Sequence, residues 1–146
     1  MSNPSFRVEG SAALTRALAQ MGEEITREVG IEIEYTGQEM RTEIIRKYND
    51  GPASGVVYEL KNPNRTHQSS VPGEYPMADQ GALAAGTLFK KVGPLAVEVY
   101  NEVVYAVPLE YGSRGQGARP AWQDTVDETQ PEFLRAIEAA IAKGMR

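Results

Sequence analysis

A chain of 146 residues is enough for one domain of ordinary size, 1–146, burying about two-thirds of the surface its unfolded form exposes. Its 41% hydrophobic and 24% charged residues suit a globular fold, and no apolar run nears the roughly 20 residues of a membrane span. The absence of cysteine and a single histidine, His67, exclude disulfides, thiolate nucleophiles, cysteine zinc sites and most histidine-based metal or triad arrangements, while the net charge of -5 disfavours a grip on DNA phosphates.

That charge is even along the chain, with 8 basic and 10 acidic residues in 1–73 and 7 and 10 in 74–146, so neither half is basic. The first residues, MSNPSFRVEG, carry no basic n-region and no apolar h-region, which leads us to expect folding in a cytoplasm.

Phe6 to Val8 reads as a short strand closed by Gly10, and Ser11 suits the N-cap of a long helix. Leu14, Leu18, Met21, Ile25, Val29, Ile33, Met40, Ile44 and Tyr48 recur near the helical period over about ten turns. Gly30 and Gly37 interrupt this helix, each at about 1 kcal/mol, and GIEIEYTG alternates like a strand, so a kink or break is expected there. The helix stops at Asn49, Asp50, Gly51 and Pro52. Its length exceeds the needs of a small core, which suggests that part of the stripe faces a neighbouring subunit.

Gly55 to Leu60 reads as a strand, followed by a turn at KNPNR and an irregular, exposed segment containing THQSSVPGEYP. The loop from Lys61 to Pro76 is expected to order only on a partner, and so to be the first site a protease cuts. Asp79 suits the cap of a short helix on Leu83. TLFKKV and LAVEVY form a hairpin through Gly93 and Pro94, with Leu95, Val97 and Val99 burying one face. VYAVPLEYG admits a strand or a short helix; Pro108 argues against a central strand, and Gly112 is a good helix stop. From about Pro120 a helix carries Trp122, Val126, Phe133, Leu134, Ile137 and Ile141, divided in two by Pro131. The expected fold is α+β: a small antiparallel sheet of about four strands, packed by the long N-terminal and the C-terminal helix, with long loops.

No catalytic, cofactor or metal site emerges. GSRGQGARP lacks the lysine and serine or threonine of a phosphate loop. The pairs Glu23 and Glu24, and Glu32 and Glu34, lie off the apolar stripe as a solvated face, and no serine sits in a nucleophile elbow. Arg114 and Arg119 make no basic patch; pairing of either with Glu110 or Asp124 is the better account, and a forked bond from Arg119 to Glu110, within or between chains, is the most specific of these. Trp122, Tyr100, Tyr105 and Tyr111 suit core or interface packing better than base stacking, since no basic residues interleave them.

Two stretches carry a resemblance. VPGEYPMADQGALAAGT, Val71 to Thr87, is similar to the Pro-Gly-Glu-x-Pro segment preceding a Thr-Gly-x-Leu turn in the tail-completion, or neck, proteins of long-tailed bacteriophages. YAVPLEYGSRGQGARPAW, Tyr105 to Trp122, resembles their Tyr-Ala-x-x-Leu-Glu-x-Gly segment ending in Ala-Arg-Pro. The order of elements fits over nearly the whole chain, with departures at Gln80, Pro108 and Ala121.

The resemblance implies a non-enzymatic virion protein, assembled in the host cytoplasm. It would form a homo-oligomeric ring at the head-proximal end of the tail, contacting the tail tube protein and a head-side connector, stopper or tail terminator. Six copies would match the tube's symmetry, and DNA would pass through without sequence-specific binding. The shared positions fall on Pro72, Gly73, Glu74, Pro76, Gly81, Leu83, Tyr105, Ala106, Leu109, Glu110, Gly112, Arg119 and Pro120. Assembly contacts are thus expected at Tyr105, Leu109, Glu110, Tyr111, Gly112, Arg114, Arg119 and Pro120, with Pro72, Gly73, Glu74, Tyr75 and Pro76 as a partner loop. Reversing the charge of Glu110 or Arg119 is then expected to impair assembly while the monomer stays folded. The alternative is a nucleic-acid-binding module using the Gly/Arg loop and the aromatic residues.

Overall fold

The computed structural model describes residues 3–61, 64–77 and 81–146. Strand β1 (Ser5–Glu9) leads to helix α1 (Ala12–Met21), whose start is capped as expected: Ser11 Oγ accepts the Leu14 amide at 3.1 Å. The helix breaks earlier than its pattern implies. Gly22 has φ of 105°, a conformation open to glycine and strained for other residues, and α2 (Glu23–Asp50) starts immediately after it. Glu23 and Glu24 in the first turn complement the helix dipole.

Gly30 and Gly37 do not interrupt α2. They are where other backbone and side chains come closest: a Cβ on Gly30 would lie 2.8 Å from Pro94 O, and one on Gly37 2.6 Å from a Val97 methyl and 2.9 Å from the Phe89 ring. Glycine here permits the helix to lie close against the sheet. It also explains the gap of seven between Ile33 and Met40, where Thr36 and Gly37 are buried in place of large side chains.

Val57–Lys61 forms β2 and Asn64–Gln68 forms β3, an antiparallel pair with Tyr58 opposite His67 and Leu60 opposite Arg65. The expected irregular segment is therefore partly a strand. NRTHQ is polar throughout, so the alternation that marks a half-buried strand is missing from it. The expectation that Lys61 to Pro76 is ordered only by a partner is overturned for Asn64–Gln68 by this pairing, and for Ser70 to Pro76 by bonds to the body of the protein described below. The proposed cap Asp79 lies outside the described residues, and α3 (Ala82–Ala85) follows Gly81.

Strands β4 (Thr87–Gly93) and β5 (Ala96–Asn101) form the expected hairpin, with a register irregularity between Lys91 and Gly93. β5 is the centre of a three-stranded antiparallel sheet in the order β1-β5-β4; with the separate β2-β3 pair, this replaces one sheet of about four strands. The inward row of β5, Val97, Val99 and Asn101, is buried, whereas Glu98 lies outward between Arg7 and Lys90, 3.5 and 3.7 Å from their nitrogens.

Short helix α4 (Ala106–Tyr111) ends at Gly112, and α5 (Ala121–Gly144) runs unbroken through Pro131. The expected division at Pro131 does not occur. A proline forfeits one backbone hydrogen bond, but α5 packs along α2 more extensively than any other two described elements meet. Val8, Ile25, Val29, Ile33, Met40, Leu95, Val97 and Ala140 form the core at one end, and Ile44, Tyr48, Leu83, Val99, Ala106, Ala121 and Trp122 at the other. The fold is α+β as expected. The α2 stripe from Ile25 to Tyr48 is covered by this chain's own sheet and α5, so it leaves no large apolar face for a neighbour; the side chains of Leu18 and Met21 are outside the description.

Candidate functional site, a two-loop junction at the start of α5

The helix α4 stops because Gly112 takes φ of 81°, and a Cβ there would lie 2.7 Å from Gln116 O. Ser113 and Gln116 then exchange both backbone bonds, at 3.1 and 2.9 Å, around Arg114 (φ 49°) and Gly115 (φ 81°). Two left-handed central residues make a tight two-residue hairpin loop, in which arginine is an unusual choice beside Asn, Asp or Gly. The chain returns past α4, with the Arg119 amide donating to Leu109 O at 2.7 Å, and enters α5 behind Pro120.

Glu110 closes this return. It is buried, and its two oxygens accept the amides of Trp122 at 3.1 Å and Gln123 at 2.8 Å, so it caps α5 from another helix. Burial raises its pKa and the amide bonds lower it; burial is the larger effect, and the carboxyl lies above the ordinary glutamate value. The expected fork between Arg119 and Glu110 does not form. Arg119 turns to the other loop, donating to Ser70 Oγ and Ser70 O, each at 3.0 Å. The unsatisfied amides at the start of α5 claim the carboxylate, and a serine hydroxyl and carbonyl claim the guanidinium. Among the described residues Arg114 pairs with neither Glu110 nor Asp124, and Asp124 instead accepts the Tyr75 hydroxyl at 2.9 Å.

The segment Pro72 to Pro76 packs against this return. Gly73 N donates to Ala118 O at 3.1 Å, and Gly117 passes so close to Pro72 that a Cβ would lie 2.6 Å from its ring. Glu74 organises the loop from within. It accepts the Ser54 hydroxyl at 2.6 Å, the Ser54 amide at 3.1 Å and the Val71 amide at 3.0 Å, bonds that lower its pKa. Burial, then the bond to Asp124, pushes the Tyr75 hydroxyl up to about 12.

Beneath the loop lies Lys47, fully buried, which sequence reading missed. Its ammonium donates to Thr125 Oγ1 at 2.8 Å and Glu128 Oε2 at 2.7 Å and sits 5.4 Å from the centre of the Tyr75 ring. Tyr48, known only as a member of the stripe, accepts the indole NH of Trp122 at 2.6 Å, and Phe6 meets that indole edge-on at 5.3 Å. Trp122 is thus a core residue, unavailable for base stacking.

Of the expected contact residues, Glu110 and Pro76 are buried, Leu109, Gly112, Arg119, Pro120, Glu74 and Tyr75 are half-buried, and Tyr105, Tyr111, Arg114, Pro72 and Gly73 are exposed. Val104, which the sequence did not single out, is exposed beside Tyr105. A cleft of about 440 Å³ opens between α4 and the β2-β3 pair, with Tyr58 and Tyr105 among its walls and Arg119 at its side. Two sequence-distant loops are thereby locked into one rigid surface, the kind of construction a docking site requires. Among the described residues no helix is long and apolar enough to cross a membrane. No protein family, no characterised protein and no solved structure matches this chain.

Proposed function

We propose that the protein is a structural component of a phage virion: a ring at the head-proximal end of the tail, completing the tail and joining it to the head, with DNA passing through the centre. The observation that carries this reading is the convergence of the two stretches that resemble neck proteins. The stretches interlock through Gly73 and Ala118 and through Pro72 and Gly117, and Ser70, just ahead of the first stretch, binds Arg119 of the second from 49 positions away. Such an arrangement gives both motifs one purpose, a stiff surface built from loops.

Glu110 and Arg119 build that surface from inside rather than presenting it. Reversing either charge is now expected to unfold or loosen the monomer, which makes them poor probes of assembly. The exposed Tyr105, Tyr111 and Arg114 are the better ones. The nucleic-acid-binding alternative loses two of its groups, since Trp122 is in the core and Arg119 is engaged with Ser70.

The test is the mass of the purified protein across a concentration series, with and without purified tail tubes. A ring, or a monomer that becomes one on a tube end, is the expected result. A monomer indifferent to tubes would overturn the reading.

A further inference from the structure

Arg114 is the sole non-glycine among the described residues with positive φ, and it sits at the tip of a two-residue loop where Asn or Gly would be unstrained. It has no ion-pair partner among the described residues. Tyr111, three positions before it in the chain, is 71% exposed. Tyrosine and arginine together in an exposed patch are the residues that dominate protein interfaces.

A second surface complements it. Along the outer side of the α2–α5 packing runs a groove of about 680 Å³ with Phe133 in its lining and Tyr35, 58% exposed, at its edge. Five glutamates line it. Arg46 answers Glu43 and Lys47 answers Glu128, but among the described residues Glu32, Glu39 and Glu132 have no cation. The negative potential is felt by the Tyr35 hydroxyl, whose pKa is raised first by its bond to Glu39 and then by the charges of Glu39, Glu32 and Glu132.

We infer that the Arg114 loop of one copy docks in the α2–α5 groove of the next, Arg114 among Glu32, Glu39 and Glu132, and Tyr111 against Tyr35. The inference rests on the ring reading above and names the contact that closes the ring. The occupant is a second copy because each half of the complementary pair lies on this same chain. Arranged around a ring, each copy gives its loop to one neighbour and its groove to the other, a head-to-tail contact, in contrast to a two-fold dimer in which two copies exchange the same pair of contacts. Charge reads the partner and orients it, while the tyrosines supply the buried area.

The experiment measures assembly mass against concentration, on and off tail tubes, for the unaltered chain and for R114N, E39K/E132K and R114E/E39K/E132K. R114N creates the Asn-Gly pair that this turn prefers, so it leaves the monomer at least as stable by thermal melt. It is nonetheless expected to raise the concentration of half-assembly about tenfold or more, as is E39K/E132K, and the combined charge swap is expected to restore it. Restoration supports the contact. Normal assembly of R114N, or weakening that the swap does not restore, overturns the contact while the ring stands. An unaltered chain that never assembles overturns both.

Discussion

At the residue scale, Glu110 shows how a motif position acquires its role from structure. Its carboxylate holds the first amides of α5 while burial disfavours its charge. Its folded-state pKa lies above the unfolded value of about 4.3, so the stability it lends is full below that value and is lost as pH rises through the raised one. Glu110→Gln keeps one amide bond and cannot titrate. It is expected to cost about 1 kcal/mol near pH 4 and to remove that decline with rising pH, whereas Glu110→Ala, leaving both amides unanswered, costs about 1–3 kcal/mol. Denaturant unfolding of the three proteins between pH 4 and 8 checks this; parallel pH profiles would refute it. Glu74 acts in the opposite direction, its stabilising contribution being lost as pH falls through its lowered pKa.

Among the elements, α2 organises the molecule, and its glycines are a packing device. In a solvated helix Gly→Ala gains about 1 kcal/mol. At position 37 the added methyl would meet Val97 at 2.6 Å and Phe89 at 2.9 Å, both anchored in the sheet, so the helix must back away. Gly37→Ala is therefore expected to destabilise the protein by about 1–3 kcal/mol, and an unchanged or raised melting temperature would refute the close-approach account. The break at Gly22 has a different cause: it is a matter of backbone conformation, with nothing within 4 Å of the position of a Cβ. The α5 helix shows the converse of both, since Pro131 is tolerated where tertiary packing holds the two halves in line.

On the scale of the whole molecule, one rigid surface formed by two loops and one acidic, aromatic groove lie on a chain whose long helix is already covered. In the ring proposed above, assembly would rest on loops and charge rather than on an apolar helix face. A ring held in this way stabilises the folded chain by mass action, so the melting temperature is expected to rise with protein concentration at low salt and less at high salt. A concentration-independent melting temperature at both would count against self-association.

Periodicity and turn chemistry in the sequence alone determined the α+β class, the β4–β5 hairpin, the Ser11 cap, the stop at Gly112 and the buried row of β5, because these depend on residues near one another in the chain. The two stretches that converge were marked by the resemblance to neck proteins. Only the tertiary structure decided that Glu110 caps α5, that Arg119 answers Ser70, 49 positions away, that Lys47 lies buried under Tyr75, and that the glycines of α2 admit the sheet. A sequence pattern tells which face of an element is apolar; what covers that face, and which amide wins a carboxylate, depends on elements brought together from afar.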